Sequence, residues 1–162
     1  ALWIAASGNH QQILKTLLSN SANWTLADNE GDSPLSCASK LGHTKIVNIL
    51  LNVGANPNHQ NSQMNTPLIL AASAGHVGII DALIANGAKV TLRNKTSQTA
   101  LMLAAKNGQL SAVKKLLLNG GNPKRRNSAG ENSIMLAKME KHNDVAKFME
   151  ANSSKGSLFN VF

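Results

Sequence analysis

The sequence predicts an all-α repeat solenoid of about five helix–turn–helix units. Three observations carry that expectation. Apolar and small residues recur every 33 positions without a gap: Leu2, Leu35, Leu68, Leu101 and Ile134 form one column, and Ala5, Ala38, Ala71, Ala104 and Ala137 another. Glycines keep the same period, with Gly42, Gly75 and Gly108 in one column and Gly54, Gly87 and Gly120 in a second. Within a unit the apolar spacing is helical, and no segment sustains a two-residue alternation. Self-similarity at a fixed period of this size is the mark of a stacked array.

Each element has its own justification. The chain opens at Ala1-Leu2 inside a unit, so the first helix lacks the loop that precedes the others. Ser33, Thr66 and Thr99 can accept from the free N–H groups of a helix start, and Pro34 and Pro67 follow at the first helical position, where a missing N–H costs nothing. Gly42, Gly75 and Gly108 suit the left-handed residue that ends the helix. Asn9 tolerates that conformation, whereas Lys141, in the same column of the last unit, conflicts with it. Ile46, Val47, Leu50 and Leu51 form the buried stripe of a second helix. Its first column continues as Ile13, Ile79, Ala112 and Val145. Gly54, Gly87 and Gly120 then stop it. Helix pairs this short bury their apolar stripe only by stacking on neighbours.

The stretch Thr66-Pro67-Leu68, Ala71-Ala72, Gly75-His76, Leu83-Ile84, Gly87-Ala88 resembles the ankyrin repeat, and the match spans residues 1 to about 150. The resemblance implies L-shaped units, each a β-hairpin finger with two antiparallel helices, stacked into a curved solenoid. It also implies protein binding rather than catalysis, through a concave side made of fingers and first-helix ends. Two departures stand out. The family's first-helix histidine is replaced by Trp3, Ser36, Ile69, Met102 and Met135, which removes its hydrogen bond between repeats. Met64 and Ser97 replace a finger glycine kept at Gly31 and Gly130, so non-standard tips are expected in those two fingers.

Residues 1–150 are expected to form one array. Lys138 and Glu150 take core columns in the last unit, as a terminal repeat with a polar outer face would. Residues 151–162 read as a linker or a docked tail, with Leu158-Phe159-Asn160-Val161-Phe162 apolar enough to dock. Cys37 is the sole cysteine, which excludes a disulfide framework and favours a reducing, cytoplasmic or nuclear, compartment. No run approaches the ~18 apolar residues of a membrane span. Asparagine is common and tyrosine absent, a bias that AT-rich genomes produce. Intracellular bacteria with such genomes often export ankyrin proteins, which would place the chain in a host cell's cytosol.

The net charge of +8 is uneven. Residues 1–88 carry three basic residues and four acids, whereas residues 89–162 carry thirteen and four. The first finger holds Asp28, Glu30 and Asp32. The second is uncharged from Asn56 to Asn65. The third holds Lys89, Arg93 and Lys95, and the fourth Lys124, Arg125 and Arg126. Such a gradient steers an acidic or bipolar partner. On the side that the resemblance makes concave, the candidates are Lys40, Gln63, Asn65, Arg93, Lys95, Gln98, Lys106, Asn107, Lys124, Arg125 and Arg126. The expected function is a monomeric interaction module for a protein or peptide with an acidic patch. The alternative is nucleic-acid backbone binding through the basic half, although few aromatics leave little for base stacking.

Other constellations point to structure. His10, His43 and His76 share a column, and helices packed about 8–10 Å apart cannot bring them within ~2 Å of one zinc ion. Cys37 with His43 lacks a third orienting group. Asp28, Glu30 and Asp32 alternate like one arm of a calcium loop, but Gly31 is misplaced and no Glu closes it. Gly120-Gly121 lacks the Gly-Lys-Ser/Thr of a phosphate loop. Trp24 is either a packing residue at the base of the first finger or an exposed anchor. No cofactor and no small-molecule substrate is expected, and any enzyme activity would lie outside this segment.

Overall fold

A computed structural model describes residues 1–154. It contains ten helices: α1 (Leu2–Ser7), α2 (Gln11–Ser19), α3 (Pro34–Leu41), α4 (Thr44–Asn52), α5 (Pro67–Ala74), α6 (Val77–Ala85), α7 (Ala100–Lys106), α8 (Leu110–Leu118), α9 (Ser133–Met139) and α10 (Asn143–Ser154). Odd-numbered helices stack as an inner layer and even-numbered ones as an outer layer. The inner helices approach one another more closely than the outer ones do, so the stack bends toward the inner side. The small residues Ala38, Ala71 and Ala104, all fully buried, allow that approach.

The caps form as the residue types require. Ser33 Oγ, Thr66 Oγ1 and Thr99 Oγ1 accept from the backbone N–H of Ser36, Ile69 and Met102 at 3.1, 3.2 and 3.3 Å. Asn132 does the same for Met135 at 2.9 Å. The left-handed stops appear at Gly42 and Gly75, and Asn9 and Lys141 adopt positive φ in the same column (56° and 63°). The conflict at Lys141 is therefore absorbed as local strain. Gly42 is also a point of close approach: a Cβ there would lie 2.7 Å from Cε1 of His76.

That contact answers the missing first-helix histidine. His43 Nε2 donates to the Ser7 carbonyl (3.1 Å) and His76 Nε2 to the Lys40 carbonyl (3.3 Å), so the turn histidines supply hydrogen bonds between units instead. The core runs the length of the stack through Ile46, Val47, Leu50, Ile79, Ile80, Leu83, Ala112, Val113 and Leu116, all fully buried. Ile13, in the same column, is 54% exposed, since among the described residues α2 packs mainly on α1 and α4.

The fingers follow one design. In each, a backbone N–H closes the turn onto a carbonyl four residues on: Asp28 to Asp32 (3.1 Å), Asn61 to Asn65 (3.1 Å), Asn94 to Gln98 (3.0 Å) and Asn127 to Glu131 (2.9 Å). Among the described residues they carry no strand; they are tight turns. Non-standard tips at Met64 and Ser97 were the expectation, and the structure corrects it. Both take the left-handed conformation (59° and 60°) of Gly31 and Gly130 (both 77°). The turn hydrogen bonds hold them there, at a cost of roughly 1–2 kcal/mol each.

α10 continues to Ser154, past residue 150 and through the first part of the expected linker. The column that stops other second helices with Gly54, Gly87 and Gly120 holds Ser153 here, and the helix runs on. Lys138 and Glu150, the charged residues in core columns, pair with each other. The apolar tail from Leu158 lies outside the described residues. Among the described residues, no helix is long and apolar enough to cross a membrane.

Candidate protein-binding face

The fingers are joined edge to edge. Ser62 N donates to the Glu30 carbonyl (2.9 Å), Lys95 N to the Gln63 carbonyl (3.0 Å) and Ser128 N to the Thr96 carbonyl (3.1 Å). One side chain organises each finger. Asn61 Oδ1 accepts from Gln63 N and Asn65 N (3.0 and 2.9 Å), while its Nδ2 donates to Asp32 Oδ1 (2.8 Å) in the finger before. Asn94 repeats the pattern on Thr96 N, Gln98 N and Asn65 Oδ1. The four fingers thus form one ridge beside the inner helices. These asparagines have structural duties, which a purely genomic explanation of their number leaves out.

The candidates divide into two groups on this face. Asn65 and Gln98 accept from Asn94 Nδ2 (3.2 and 3.3 Å), and Asn107 Nδ2 donates to the Ser73 carbonyl and hydroxyl (both 2.8 Å). Arg126 turns back onto the Gly130 carbonyl and the Met135 sulfur. Those four side chains already serve the fold. Lys40, Gln63, Arg93, Lys95, Lys106, Lys124 and Arg125 have no side-chain hydrogen bond or ion pair among the described residues. Lys40, Gln63, Arg93, Lys95 and Lys124 are exposed, and Lys106 and Arg125 half-buried. Lys40 and Lys106 end α3 and α7; the others lie on the fingers.

Two lysines of the outer helix α8 have partners. Lys115 pairs with Asp81 at 3.0 Å, linking α8 to α6, and Lys114 Nζ sits 5.2 Å from the Phe148 ring centre. Exposed apolar side chains on the fingers and inner helices include Met64 at the second finger tip (42% exposed) and Met139 at the end of α9 (62% exposed), beside Ile4, Leu41 and Met135. Of these, Met64 is legible in the sequence, since it occupies a glycine column.

The remaining constellations settle as packing. Trp24 is half-buried against the core. With Thr25, Ser33, Ala55, Asn56 and His59 it lines a groove of about 260 Å³. The groove's polar groups are committed: Ser33 caps α3, His59 Nε2 meets the Gly31 carbonyl (2.8 Å), and Asn56 accepts from Asn58 N (2.9 Å). Cys37 is buried, and burial together with Asp32 and Asp28 pushes its thiol up to about 11. A thiol held in that state is a poor nucleophile. Asp28 Oδ1 accepts from Glu30 N and Asp32 N (3.0 and 2.8 Å), and Asp32 holds Asn61, so the alternating acids brace a turn.

A family model described as Ankyrin repeats (3 copies) matches residues 2–94 and again residues 68–157. The chain belongs to the ankyrin-repeat family. Ankyrin repeats generally mediate protein–protein interaction and are typically non-catalytic scaffolds. No curated protein is similar enough to match this ankyrin-repeat chain.

Proposed function

We propose that this ankyrin-repeat array is a non-catalytic interaction module that binds a protein or peptide with an acidic patch along its finger ridge and inner-helix ends. One observation carries the reading. Arg93, Lys95 and Lys124 on the fingers and Lys40 and Lys106 on the inner-helix ends adjoin one ridge and have no partner among the described residues, whereas the unpaired outer lysines Lys15, Lys45 and Lys147 are spread one to a helix over α2, α4 and α10. Unpaired cations on one face accelerate association with an acidic surface and discriminate against basic ones.

The test is a charge-matched pair of variants. Arg93, Lys95 and Lys106 are reversed to Glu in one. Lys15, Lys45 and Lys147, exposed on the outer helices α2, α4 and α10, are reversed in the other. Lys114 and Lys115 are unsuitable controls, because their contacts to Phe148 and Asp81 support the fold. A glutamate-rich synthetic peptide should lose at least tenfold affinity for the first variant and much less for the second. Equal losses would mean a general field rather than a face. Tight duplex DNA or RNA binding at physiological salt, falling steeply with added salt, without peptide binding, would favour the nucleic-acid reading.

A further inference from the structure

Met64 stands where glycine would relieve backbone strain, and it leaves 42% of its surface exposed. Residues held in sparsely populated conformations cluster at binding sites. Its surroundings are specific. Gln60 Nε2 donates to both the Met64 carbonyl (3.1 Å) and the Arg93 carbonyl (3.3 Å). One side-chain amide therefore fixes Met64 and Arg93 next to each other. The neighbouring residue Gln63 accepts from Lys95 N at 3.0 Å, which brings the second cation alongside. Met64 is 42% exposed, on a finger with no charge from Asn56 to Asn65. The result is an exposed apolar residue whose backbone adjoins that of two residues, Arg93 and Lys95, whose cations have no partner among the described residues.

We infer that Met64 is a specificity-determining contact, taking an apolar side chain of a partner segment whose flanking acidic residues lie on Arg93 and Lys95. This rests on the acidic-partner reading above and adds the register of the bound segment. The flexible, polarisable thioether suits such a contact, since it adapts its shape to the group it meets. Ser97, in the same column one unit on, is half-buried and offers no comparable apolar surface.

The experiment uses two probes: a short glutamate-rich synthetic peptide with one central leucine, and the same peptide with serine in its place. Binding of each to wild type and to Met64→Gly is measured by fluorescence anisotropy, and the stability of both proteins by denaturant titration. Wild type should prefer the leucine peptide by about tenfold. Met64→Gly should bind both peptides as wild type binds the serine peptide, yet unfold less readily, by about fivefold in the unfolding equilibrium. Affinity and stability thus move in opposite directions, which a merely structural residue would not produce. Equal binding of the two peptides by wild type, or an unchanged preference in Met64→Gly, overturns the inference and leaves the acidic-partner reading standing. Failure of both peptides to bind wild type overturns that reading and the inference with it.

Discussion

Replacing Asn61 by Ala tests whether the finger ridge is held by its asparagines. The substitution removes one acceptor shared by Gln63 N and Asn65 N (3.0 and 2.9 Å) and one donor to the Asp32 carboxylate (2.8 Å). A net contribution of roughly 0.5–1.5 kcal/mol for each of the three bonds would give about 1.5–4.5 kcal/mol. Asn61 is only half-buried, so water replaces part of what is lost, and the expected cost is about 2 kcal/mol. Asn29→Ala is the control: Asn29 is exposed on the first finger, and its side chain makes no hydrogen bond among the described residues. It should cost less than about 0.5 kcal/mol. Asn61→Asp keeps the acceptor but sets a second carboxylate against Asp32, so it should also destabilise. Urea titrations followed by circular dichroism measure all three variants. If Asn61→Ala costs no more than Asn29→Ala, the ridge is not held by these side chains and its asparagines need another explanation.

Further outcomes follow from the core. Leu68→Ala should cost about 2–5 kcal/mol, because α5 packs on α3, α7 and α6, whereas Leu2→Ala, on α1 with an inner neighbour on one side only, should cost less; equal losses in urea would contradict the stacking order. Ser39 is fully buried with its hydroxyl unpaired among the described residues, in a column that holds Ala72 and Ala105, so Ser39→Ala should stabilise by about 1 kcal/mol in the same titration. The Cys37 thiol is raised from 9.0 to about 11 in the folded state, so the unfolded chain ionises first as pH rises. Stability from this group is complete below about pH 9 and is lost on the way to about pH 11, on the order of 2 kcal/mol. Cys37→Ala should remove that alkaline loss, read as the difference between the two proteins' pH–stability curves.

Much of the architecture was legible because it depends on short-range rules. Ser33, Thr66 and Thr99 cap helices through backbone groups three residues away, and the Leu and Ala columns repeat with the unit, so each carries its own signal. The finger tips were harder. Whether Met64 can take a left-handed conformation is decided by turn hydrogen bonds, and its residue type argues the other way. The ridge asparagines and Asn107 meet partners in the adjacent unit, 29 to 34 residues distant, a relation that composition does not reveal. Arg126 reads as a free cation until the turn carries it back to Gly130 and Met135. Serine in the glycine column does not by itself decide where the second helix ends, since α2 stops before Ser21, which takes φ 59°, whereas α10 runs through Ser153 to Ser154.

The most direct measurement of the proposed binding face is a backbone amide chemical-shift titration with a glutamate-rich peptide. The account predicts shifts concentrated on the second to fourth fingers and on the ends of α3 and α7. α4, α8 and α10 should remain silent. Shifts centred on the outer helices, or spread evenly over both layers, would contradict it.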